Sequence, residues 1–150
     1  MGGDLKARQQ AALAAVRDCA QVIESRAGGL LAAVSSWEME AGPRASIMEL
    51  CTTATDTSRR VQFELALLQQ QLADGQETRD GVLRRLTQLE GTIMNGLAGF
   101  ADVVDELEAE AESDERIEPA FIGTIETIGE MMQSFQQAKT ATEALRTASA

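Results

Sequence analysis

The chain has 150 residues, 13 basic and 24 acidic side chains, a net charge of −11 at pH 7, and no histidine. That balance speaks against polyanionic partners, because nucleic acids and anionic lipid surfaces need clustered lysine or arginine, and the longest basic runs are the pairs Arg59-Arg60 and Arg84-Arg85. Without imidazole there is no Ser-His or Cys-His nucleophile and no histidine metal site, so an enzyme is not expected.

Four segments carry apolar residues at helical spacing, near 4–41, 46–73, 81–112 and 119–147. In the first, Val16, Ala20, Ile23, Ala27, Leu30, Val34, Trp37 and Ala41 alternate steps of four and three, straight through Gly28-Gly29. Gly42-Pro43 is expected to end that helix, because proline disfavours helical geometry in the residue before it. Ser46 and Glu49 then fit a capping box for the second helix, whose stripe is Ile47, Cys51, Ala54, Ser58, Val61, Leu65, Leu68 and Leu72.

Asp74-Gly75 reads as a helix stop and Asp80 as the next N-cap. The third stripe is Val82, Leu86, Leu89, Ile93, Gly96, Phe100, Val103 and Leu107. After a break at 113–118, Pro119 suits the first position of a fourth helix. Its stripe reads Phe121, Ile125, Ile128, Met132 and Phe135, then shifts through Ala138, Ala141, Leu145 and Ala148, with frayed final turns expected. Short links imply antiparallel neighbours. The expected architecture is therefore all-α: one domain, 1–150, folded as an up-down-up-down four-helix bundle, open to completion or extension by oligomerisation.

Residues 102–118 hold nine carboxylates and one arginine, Arg116. Within them Asp105, Glu106, Glu108, Glu110 and Glu112 are the candidate partner-binding residues, forming an acidic tip for a basic protein surface. The same run read blandly is a solvated helix end. No EF-hand spacing is present, and no metal or cofactor is expected. Arg59 and Arg60, beside a threonine patch, are candidate ligands for a small anion, since guanidinium offers a planar donor fork. Their bland reading is surface charge balanced by Asp56 and Glu64 at helical spacing. The far end collects Lys6, Arg8, Arg79, Arg84, Arg85 and Arg146, which would make the bundle an electrical dipole.

No apolar run approaches the roughly 20 residues of a membrane span, and MGGDLK lacks the apolar stretch of a signal peptide. A cytoplasmic address is the expectation. A hairpin around Gly42-Pro43 would set Cys19 and Cys51 roughly 22 Å apart at the helical rise, so two free thiols are expected. The leading functional reading is a non-enzymatic interaction module, an adaptor, scaffold or assembly subunit, whose partners are proteins, itself included. The alternative is a ligand-sensing bundle that binds a small anionic molecule near Arg59 and Arg60.

Overall fold

The spacing that starts at Val16 folds as α1, Gly2–Val34, the first rod of an all-α antiparallel bundle; the computed structural model describes residues 2–148. It is followed by α2 (Ala41–Ala73), α3 (Arg79–Leu97), α4 (Phe100–Ser113), a short 3-10 turn (Glu115–Ile117) and α5 (Glu118–Arg146). The third rod is α3 and α4 in line. Ala98 and Gly99 keep right-handed backbone angles between them, so the rod is broken without reversing. Each of the four rods packs on two neighbours in cyclic order: α1 on α2 and α5, and the α3–α4 rod on α2 and α5. At 1.5 Å per residue the 33-residue helices α1 and α2 are each about 50 Å long.

The first corner differs from the expectation. The first helix stops at Val34 rather than near 41, and Gly42-Pro43 begins α2 instead of ending α1. Proline is tolerated there because the first amides of a helix have no intrahelical acceptor. The expected capping box is absent: Ser46 lies inside α2, and Glu40 stands at its N-cap in extended geometry. What holds the corner is Arg44. Its guanidinium donates to the carbonyls of Val34 and Trp37, at 2.8 Å each, placing a cation on the negative end of the α1 dipole.

At the second corner Gly75 takes φ 73°, the left-handed geometry that favours glycine, and Gln76 N–H closes back on Gln71 at 2.9 Å. The N-cap of α3 is Thr78, not Asp80; its hydroxyl accepts from the Gly81 amide at 3.1 Å. At the third corner Asp114 accepts from the Arg116 amide at 3.0 Å, and Pro119 is the second residue of α5.

The core follows the stripes read for the first three rods, except that Ala41 is exposed, Trp37, Leu72 and Gly96 are half-buried, and Leu97 is buried beside Gly96. Leu65, Leu68, Leu86, Leu89, Ile93 and Phe100 are all buried. In α5 the phase differs. Ala120, Thr124, Met131, Phe135, Ala138, Thr142 and Leu145 face inward, while Phe121, Ile128 and Met132 are half-buried and Ile125 is exposed. Small residues and two threonines share this interior with Met131, Phe135 and Leu145, and α5 comes close to the α1 side where Gly123 meets Trp37 and Ser134 meets Cys19. The threonine hydroxyls are satisfied within the helix: Thr124 donates to Ala120 and Thr142 to Ala138. The last turns are not frayed. Leu145 and Ala148 are buried, and Arg8 and Arg79 donate to the Ala144 and Ala148 carbonyls at 3.1 and 2.6 Å.

Candidate functional site

On α4 the apolar spacing of Val103 and Leu107 turns one face inward and leaves the carboxylates between them outside. Asp105, Glu106, Glu108 and Glu112 are exposed and Glu110 is half-buried. Among the described residues none of these five closes a salt bridge, for the paired carboxylates are Asp4, Glu24, Glu38, Asp80, Asp114, Glu130 and Glu143. The two arginines of this end are engaged elsewhere, Arg44 with backbone carbonyls and Arg116 with Asp114. Arg116 donates to both oxygens of that carboxylate, at 3.1 and 3.0 Å, and holds it below its ordinary range. Glu110 is pushed the other way. Loss of water around it is the main cause, with repulsion from Glu40, Glu106 and Asp114 added, and its Oε2 is buried without a partner. The acidic end is thus uncompensated, and it lies on the C-terminal turns of a helix, where the dipole also disfavours it.

The basic end is more engaged than its composition implies. Arg8 pairs with Asp4, Arg79 with Asp80 and Arg146 with Glu143, and all three also bond across to a neighbouring segment. Of the arginines read there, only Arg84 and Arg85 make no ion pair among the described residues.

Arg59 and Arg60 do not converge. Arg59 reaches across to Glu24 of α1 at 2.9 Å, a partner other than the Asp56 and Glu64 read from helical spacing. Arg60, one residue on and about 100° around the helix, points toward the α3 side. Between them Ser58 is buried, and its hydroxyl donates to the Ala54 carbonyl. Two guanidinium groups on different faces do not form one anion cradle.

Cys19 and Cys51 are both free and buried. Burial raises each thiol, that of Cys51 to about 11, so neither is an activated nucleophile. Among the described residues no three acidic or thiol side chains converge closely enough to hold a metal ion. Among the described residues no helix is long and apolar enough to cross a membrane.

Sequence reasoning missed the exposed apolar side chains. Phe63 is 66% exposed, and Met48, Leu67, Ile122 and Ile125 are each above 40%. Phe63 and Leu67 stand one turn apart on α2, a signal present in the sequence but lying off the core stripe. Ile125 was placed inside by reading the large apolar residues of α5 as its core.

Comparison of the chain with protein-family models, curated proteins and solved structures finds no match in any of the three. Function is therefore argued from the surfaces above alone.

Proposed function

We propose that this chain is a non-enzymatic protein–protein interaction module, an adaptor, scaffold or assembly subunit that presents its acidic α4 end to basic partner surfaces. The observation that carries the reading is the set of exposed, unpaired carboxylates at Asp105, Glu106, Glu108 and Glu112, fixed on one end of a bundle. A field of one sign speeds encounter with a partner of the other sign, and salt weakens it. Two buried reduced thiols accord with a cytoplasmic location, where disulfides are rare. Ligand sensing at Arg59 and Arg60 has less support, since Glu24 already occupies Arg59.

The test replaces Glu106, Glu108, Glu110 and Glu112 with glutamine and compares immobilised wild type and variant as capture surfaces. Proteins held by wild type at low salt, released by added salt and lost from the variant support the reading. If the variant retains the same proteins at the same association rates, the acidic end is a solvated helix end.

A further inference from the structure

Five large apolar side chains are exposed; Met48 stands apart on the α1 side of α2, and the other four fall on two sides of the bundle, where the charges around them are of opposite sign. On the α2/α3 side, Gly96 packs on Thr57 and Gly99 on Leu50, which fixes the antiparallel register of the two rods. That register sets exposed Leu67 level with Arg84 and Arg85, and exposed Phe63 level with Gln88, with Arg60 one turn further along α2. Among the described residues none of Arg60, Arg84 and Arg85 makes a salt bridge. Asp56 and Glu64 flank Arg60 at helical spacing. Arg85 has only Gly81 and Leu89 at those spacings, and Arg84 has Gln88 and an Asp80 already held by Arg79. The excess charge on this side is positive.

On the α4/α5 side the sign reverses. Gly123 against Trp37, and the ion pair of Arg26 with Glu130, fix the edge of α5 that meets α1. Ile125 therefore turns toward α4 and Ile122 outward. The 3-10 turn brings α5 back beside α4, so Ile125 lies level with Glu108 and Ile122 level with Glu110. Asp105, Glu108 and Glu112 project along the outer edge of α4 on this same side, exposed and without salt bridges among the described residues.

We propose that a second copy of this chain is the occupant of both faces: the acidic, apolar α4/α5 face of one molecule seats on the basic, apolar α2/α3 face of the next. This rests on the reading of the chain as an interaction module and names one of its partners. Pairing like with like would set Arg84 and Arg85 against themselves, or Glu108 and Glu112 against themselves, so the contact is heterologous. The two faces occupy adjacent sides of the bundle and different halves of its length. Each contact then leaves one face of each molecule open, and assembly continues into a ring or filament.

The experiment uses the purified chain alone, with mass in solution read against concentration at physiological ionic strength. Two variants each disable one face through exposed positions: Phe63→Gln with Arg84→Gln, and Ile125→Gln with Glu108→Gln. A charge-removing pair, R84Q/R85Q and E108Q/E112Q, serves if the apolar substitutions lower helicity. Wild type should exceed the mass of one chain, and each variant alone should stay monomeric. An equimolar mixture of the two variants should give a species of two chains that does not grow, since each retains the face the other lacks. A wild type that stays monomeric at millimolar concentration overturns the proposal, as does a variant that assembles like wild type or a mixture that stays monomeric. None of these outcomes bears on capture of another protein by the acidic end, so the two readings fail separately.

Discussion

Cys51 is the second position of the α2 stripe and has no exposed surface, and burial pushes its thiol to about 11 from an ordinary 9.0. In the unfolded chain it ionises near 9.0, so its contribution to native stability is intact below that pH and is lost as pH rises through 11. The denaturation midpoint should fall between pH 9 and 11, and Cys51→Ala should flatten the fall, leaving the part due to Cys19, whose thiol burial also raises. A midpoint that declines equally in the variant would place the titration elsewhere. Gly123 acts through space. A Cβ there would stand 2.7 and 2.8 Å from two indole carbons of Trp37, closer than real contacts allow. Trp37 is the one tryptophan of the chain, so its fluorescence reports this contact alone. Gly123→Ala should shift its emission to the red and increase its quenching, while helicity holds because alanine favours the helix by up to about 1 kcal/mol. Unchanged emission would mean that the indole rests elsewhere.

At the scale of elements, legibility depended on side-chain size. Val16 to Val34 was readable because its inward positions recur in unbroken steps of three and four, a period that the neighbouring Val22 and Leu31 do not interrupt. The α5 phase was not, because Phe121, Ile125 and Ile128 outrank Ala120 and Thr124 in hydrophobicity yet lie off the fully buried face. Gly42-Pro43 misled for a related reason: the same dipeptide closes one helix or opens the next, and the choice rests on Arg44, whose contacts reach ten residues back. The acidic end was legible as composition; its lack of compensation was not, since that depends on where Arg44 and Arg116 point. The break at Ala98-Gly99 was also invisible, as both residues keep helical angles. Phe100, first in α4 and 1% exposed, anchors the rod on the far side of that break. Phe100→Ala should cost about 3–5 kcal/mol in chemical denaturation. An unchanged midpoint would show that α4 is held from elsewhere.

Across the whole molecule, arginines tie neighbouring segments at both ends: Arg44 and Arg116, through the Val34 carbonyl and Glu38, at one, and Arg8, Arg79 and Arg146 at the other. Arg8 of α1 reaches the backbone of Ala144 in α5, so the start of the first helix and the end of the last lie side by side. Their closeness makes the order of the helices cyclic: a short bridge from the last residues to the first would close the backbone into a loop without bending any rod. Such a loop admits new openings, and they are not equivalent. Opened between Gly75 and Gln76, a circular permutant forfeits one left-handed turn and should keep native helicity and nearly the native midpoint. Opened between Ser36 and Trp37, it unlinks the carbonyls that Arg44 bridges and should melt well below the first. Equal midpoints would mean that the tie at Arg44 adds nothing to the corner it spans.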